Sequence, residues 1–315
     1  KWTLSLSSPL RWTGYTGVGF SRISVNPSLS IIYKLNYAWR FTVHASYKER
    51  YGEMTDLYDR PYQTDYRNSV WNCGILPVYR QQLYSVYGEY KSTAREFFAT
   101  VNLTHNREWY NRIYEQRIEN GQVQRVSLPL SNHGSGYTVK STLSKGFYDL
   151  GLKTSLMALL NISKAEQISG GQRLPYQYRL MRLEPKVIWT PNRHWETSYQ
   201  TDIRYGGSKI GERTRLAPLW NVIQQVQLSY IFSPIEASLS VDHYHNDVNE
   251  DQSVNAVFAD FSVSWKSGRW QITATATNLF DKRTYGYTRY ASLESYTSWV
   301  RIRPREFLVA IRYQL

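Results

Sequence analysis

The chain has 315 residues, with 27 tyrosines, 11 tryptophans, one cysteine and a formal charge of +13. One cysteine excludes an internal disulfide framework and a cysteine-rich metal centre, and no run reaches the roughly 18 apolar residues of a transmembrane helix. A membrane-spanning β-barrel escapes that second test, because only alternate residues of each strand need be apolar. The Lys and Arg residues are scattered, and no nucleic-acid-binding module is visible.

Period-two alternation runs through nearly the whole sequence. In chain order, strands are expected near 2–10, 24–36, 39–50, 82–92, 95–107, 136–146, 149–162, 177–190, 194–206, 219–232, 235–247, 255–266, 269–280 and 304–315, about fourteen in all. The pattern is plainest where Trp39, Phe41, Val43, Ala45 and Tyr47 oppose Arg40, Thr42, His44, Ser46 and Lys48. It recurs where Trp195, Tyr199, Ile203 and Tyr205 oppose Glu196, Gln200, Asp202 and Arg204. Most of these strands are long enough to cross a bilayer at a tilt of about 45°.

The connections alternate in length. Short turns are expected at 36–38, 92–94, 146–149, 191–193, 233–234 and 267–268, and long polar loops at 50–81, 107–135, 163–177, 207–218, 247–255 and 281–303. Outer-membrane barrels are built this way, with short periplasmic turns and long extracellular loops. Tyr37, Trp39, Trp189, Trp195, Phe232, Trp265, Trp270 and Tyr313 stand where strands meet short turns, as an aromatic girdle does. A soluble β-sandwich uses shorter strands and needs no such asymmetry. The stretch Gly14–Phe20 reads as a glycine-rich turn between the first two strands, because a dinucleotide fingerprint requires a strand-to-helix context.

Near the end, Asn278-Leu279-Phe280-Asp281-Lys282 closes one strand, Tyr285 follows, and Pro304-Arg305-Glu306-Phe307 opens the last. Together these phrases resemble the carboxy-terminal signature of TonB-dependent outer-membrane receptors. The resemblance implies an all-β transmembrane antiparallel barrel, of which about fourteen strands are present out of twenty-two. It also implies that residues 1–315 are the carboxy-terminal part of the barrel, with no plug domain among them. The plug, the remaining strands and the TonB-binding box would belong to a missing upstream segment.

The implied function is import of a scarce ligand (a metal chelate, cobalamin or an oligosaccharide) across the bacterial outer membrane, without enzymatic activity. The implied partners are outer-membrane lipid and lipopolysaccharide, the plug, the TonB complex and a surface lipoprotein. The alternative is a passive channel, or a structural or secretion-complex barrel without TonB gating. No cofactor, metal site or catalytic group is expected.

Two residue sets stand out. Tyr58, Arg60, Tyr62, Tyr66, Arg67 and Trp71 lie in the richest loop and are candidate contacts for a ligand or partner, since rings stack and charges orient. That loop, 56–72, is expected to be removable without loss of folding. Arg40, His44, Glu196, Gln200, Asp202, Arg204 and Asp242 are expected to face the lumen or plug, because charge at membrane depth must be paired or hydrated. Val241–Asp251 gathers two histidines and four acids. It reads as a strand end entering a solvated loop, because alternate strand residues cannot converge on one ion.

Overall fold

The computed structural model describes residues 1–16, 19–119, 122–211, 214–215, 218–248, 252–291 and 294–314. Fourteen strands make one continuous wall: β1 Trp2–Ser7, β2 Ser28–Lys34, β3 Trp39–Tyr51, β4 Val78–Ser92, β5 Phe97–Tyr110, β6 Asn132–Phe147, β7 Leu152–Ser169, β8 Gln172–Asn192, β9 Trp195–Ile210, β10 Leu219–Phe232, β11 Ile235–Asp247, β12 Ser253–Ser267, β13 Trp270–Thr277 and β14 Glu306–Tyr313. Each pairs antiparallel with the next in this order. The expected strands are all present, and the chain is an outer-membrane-type barrel in part.

Registered partners share a face, so the ladders turn local alternation into continuous rows. One row reads Leu4, Ile31, Val43, Val86, Leu103, Val139, Leu160, Met181. The neighbouring row on the other face reads Thr42, Tyr87, Asn102, Lys140, Leu159, Arg182, Arg204, Asn221. An apolar outer face and a polar inner face are what a lipid-embedded barrel requires. Aromatic pairs gather at the short-turn ends, including Trp39–Phe41, Trp195–Tyr230 and Trp270–Tyr313.

The wall is open. Among the described residues β1 is laddered only to β2, and β14 only to β13. Exposure gives the same result: Leu4, Leu6, Val309 and Ile311 are 65–76% exposed, against 44–49% for Val43, Val86, Leu103 and Leu143 on interior strands. The difference is the cover a neighbouring strand would supply.

Several expected loops turn out to contain ordered strand, residues 281–303 among them with the hairpin Thr284–Ala291 and Glu294–Arg301. Residues 163–177 form a tall β7–β8 hairpin reversed at Gly170 and Gly171, whose φ angles of 57° and 76° suit glycine. Residues 107–135 contain a second hairpin, Ile113–Glu119 with Gln122–Leu128. It pairs parallel with the tip of β7 on one side and with Asn68–Trp71 on the other. Several buried side chains cluster here, among them Ile113, Val126, Ile168, Glu115 and Ser127. Gly14–Phe20 joins a small hairpin, Leu10–Tyr15 with Phe20–Val25; Gly17 and Val18 lie outside the described residues, as does Leu315.

The carboxy-terminal phrase is a latch. Asn278, 7% exposed with φ at 50°, donates Nδ2 to the carbonyls of Lys282 and Arg303, both at 2.9 Å, and accepts from Lys282 N at 3.0 Å. One amide thus ties both ends of the last long loop. Asp281 adds a second tie, accepting from Arg305 N at 2.9 Å and from Arg283 at 2.8 Å. The Arg305 N–H and the Arg283 guanidinium hold its carboxyl below the ordinary 3.8. Its stabilisation is complete above that value and is lost as pH falls through the lowered one. Asp281→Asn is therefore expected to lower the melting temperature at pH 7 and to match the parent near pH 2, checked by thermal unfolding across that range.

Candidate ligand site beneath the loop cap

At the loop end of the inner face, β5, β6 and β7 and the capping hairpin enclose a cavity of about 720 Å³. Asn106, Glu108 and Tyr110 reach it from β5, Asn132 from β6, Tyr176 from β8, and Arg112, Tyr114, Glu115 and Arg125 from the hairpin and its root. Alternation puts Tyr114 and Arg125 at the hairpin surface, while Asp56 anchors Arg112 from the loop below at 2.8 Å.

Two acids of the cavity, Glu108 and Glu115, are already satisfied. Glu108 accepts from Tyr79 Oη, Gln81 Nε2 and Asn106 Nδ2 at 3.0 Å and from Tyr110 Oη at 2.9 Å. Glu115 accepts from Arg117 at 2.6 and 2.9 Å and from Gly171 N at 3.1 Å, which locks the hairpin onto the β7–β8 turn. The cations are less occupied. The Arg125 guanidinium lies 3.6 Å from the Tyr114 ring centre, with Arg112 at 5.0 Å on the same ring. Among the described residues Arg125 has no carboxylate partner. Burial pushes the Tyr114 phenol above its ordinary value, so it remains a neutral donor. Asn132 Oδ1 is buried without a hydrogen-bond partner. The cavity therefore offers a guanidinium fork, phenol rings and an unused amide oxygen to an oxygen-rich ligand.

The six loop residues singled out from the sequence do not line this cavity. Tyr66 stands exposed with Arg67 5.3 Å from its ring, and Tyr58 packs edge-on against Tyr62. Trp71 Nε1 donates to Asp59 at 3.3 Å. Arg60 lies exposed between the 3₁₀ turn Met54–Leu57 and the short strand Tyr62–Gln63. The loop is not separable, because Asn68–Trp71 is laddered to the hairpin and Asn72 Nδ2 donates to Thr55 O at 3.1 Å. Sequence reasoning missed Tyr114 and Arg125. The signal available was two alternating runs flanking Asn120-Gly121, a hairpin dipeptide.

On the inner face, Asp202 is gripped by Arg182, at 2.9 and 3.0 Å, and by Arg204, at 2.5 Å, while Arg40 pairs with Glu89. His44 registers with Ser30 and Ser85, Glu196 with Ser229, and Gln200 with Lys186 and Gln225. Asp242 registers with Gln225 and Phe258, and its Oδ1 is buried without a partner. All seven positions share the polar face. His243 and His245 fall on the opposite face from Asp242 and Tyr244, and Asn249–Asp251 lie outside the described residues.

Comparison with solved structures places this architecture. The chain superposes on the siderophore receptor PiuA from Acinetobacter baumannii with a TM-score of 0.51 and 7% identity, covering 90% of this chain and 49% of that one. It superposes on the FrpB iron transporter from Neisseria meningitidis (F3-3 variant) with a TM-score of 0.51 and 9% identity, covering 84% and 44%. The fold is that of an outer-membrane β-barrel wall. The chain spans about half the length of the chains it matches. No family model and no curated protein matches the sequence.

Proposed function

We propose that the chain is the carboxy-terminal part of a TonB-dependent receptor in the bacterial outer membrane, and that it takes up an anionic, oxygen-rich ligand such as a metal chelate. The observation that carries the reading is the capped cavity, with the guanidinium of Arg125, which has no carboxylate partner among the described residues, stacked on Tyr114. The open edges of the wall support completion of the ring by further strands, because hydrocarbon does not tolerate unpaired backbone groups. A plug would fill the polar lumen, and TonB would act through that segment.

The test is a growth and uptake screen across iron chelates, cobalamin and oligosaccharides, run on the full-length receptor and on Tyr114→Ala and Arg125→Ala. Charged hydrogen bonds are worth roughly 1.5–3 kcal/mol, so Arg125→Ala is expected to raise the half-saturating concentration of chelate about 10- to 100-fold. Uptake that is independent of TonB and indifferent to both substitutions would instead identify a passive channel.

A further inference from the structure

The wall has a break in its ladder beside the cavity. β6 and β7 pair from Phe147 and Leu152 up to Ser135 and Lys164, where the ladder stops. The capping hairpin takes up the same edge of β7 only at Ile168, which registers with Glu115. Between the two, Ala165, Glu166 and Gln167 are laddered on the β8 side alone, to Tyr176, Pro175 and Leu174. This seam begins three residues beyond Ile162, which stands in an aromatic row on the outer face with His105 and Tyr137. The His105 and Tyr137 rings stack there, with centres 4.2 Å apart.

Side chains bridge the seam where the ladder is missing. Asn132 Nδ2 donates to Glu166 O at 3.2 Å. Arg173 reaches past β7 from β8 to donate to Ser131 O at 2.7 Å, steadied by the Glu166 carboxylate at 3.1 Å. A second cavity, of about 540 Å³, lies on the outward side. His133, Gly134, Lys164, Ala165 and Glu166 line both this cavity and the inner one. Gly134 thins the partition, and a Cβ there would meet Lys164 O at 3.4 Å, an ordinary contact.

We propose that the seam is a side entrance, through which a hydrated anion passes from the flank of the wall to Arg125 in the capped cavity. The proposal rests on the ligand site assigned above. Arg107, Lys164 and Lys209 stand at the outward mouth, and Arg112 and Arg125 at the inward one. Among the described residues neither Lys164 nor Lys209 is paired with a carboxylate. Cations at both mouths raise the local concentration of an anion along the whole path. The acids beside it are neutralised, Glu166 by Arg173 and Glu108 by its four donors. Backbone groups without a ladder partner hold water, so the anion meets no apolar barrier. The roof is the harder way in. Raising it breaks the ladders of Glu115 and Gln116 to β7 and of Val123–Val126 to Asn68–Trp71. Local opening is drawn from the least stable element, and here that element is the seam.

The probe is the anionic thiol reagent 2-sulfonatoethyl methanethiosulfonate, applied to the purified full-length receptor in a Cys73→Ser background. The target is Ser163→Cys, an inward position that lines the inner cavity and not the outer one. Arg173→Ala/Glu166→Gln removes one strap without leaving a bare charge. It should speed labelling about tenfold, the lower worth of one charged hydrogen bond. Gly134→Leu fills the seam and should slow labelling by a similar factor. Glu115→Gln loosens the roof and should stay within twofold of the parent. A cysteine in place of the exposed Tyr66 should label equally in every background. Parent-like rates in both seam variants would overturn the proposal, as would a rise in Glu115→Gln equal to that of the strap variant. Labelling needs neither a transported ligand nor TonB, so its failure is distinguishable from failure of the transport reading, and circular dichroism of each variant confirms folding.

Discussion

Replacing Leu156 with arginine is expected to cost the assembled barrel about 2–4 kcal/mol, the price of a guanidinium on the lipid face near mid-bilayer. Leu156 registers with Leu143 and Pro185 on the apolar face. It lies between Leu152, which registers with Trp189 at the short-turn girdle, and Ile162 in the aromatic row above. The adjacent Met157 registers with Thr142 and Glu184 on the polar face. Met157→Arg should therefore be tolerated within about 1 kcal/mol, since the new cation meets a carboxylate and water. Guanidinium unfolding in lipid vesicles would show the first variant shifted by about 30- to 700-fold in its folding constant and the second scarcely moved. Equal effects would mean that the two faces had been assigned the wrong way round.

The second large effect is expected at Asn278→Ala. Removing the amide takes away the partner of the Lys282 and Arg303 carbonyls and of the Lys282 N–H. It also leaves alanine at a φ of 50°. Each hydrogen bond lost is worth roughly 0.5–1.5 kcal/mol, and the left-handed backbone adds about 1–2 kcal/mol. Hydrogen exchange over residues 283–302 should rise by two orders of magnitude or more, while exchange over β5–β9 stays unchanged. Asn278→Gly relieves only the backbone strain and should recover only that smaller part. Unaltered exchange in both variants would rule out the latch.

The wall was legible because its chemistry is local. Lipid on one face and water on the other impose period two on every strand, and Trp39 through Lys48 display it without reference to any partner. The cap was not legible, because its stability is non-local. Ile113 and Val126 are buried by strands that arrive from residues 68–71 and 168–169, and no window of sequence announces a parallel ladder of four residues. The same reason hid the cavity. Arg125 and Tyr114 look like ordinary polar alternation until the hairpin folds back over β5–β7. The loop richest in aromatics drew attention by composition, whereas the guanidinium with no acid beside it lay in a plainer stretch. Tyr285 was readable as part of a phrase, but its place against Tyr244 and Phe258, with Asn246 Nδ2 2.6 Å from its hydroxyl, required the tertiary fold.

The height of the β7–β8 hairpin has a consequence for how anything first meets this protein. Glu115 of the cap registers with Ile168, six residues beyond Ile162 in the aromatic row. Six residues rise about 20 Å along the strand, or about 15 Å along the membrane normal at a barrel's usual tilt. The roof of the cavity therefore stands in bulk water, clear of the headgroup layer. Encounter with a solute is a three-dimensional search in open solution, set by diffusion and by a field that salt screens within about 10 Å, and the bilayer surface plays no part in it.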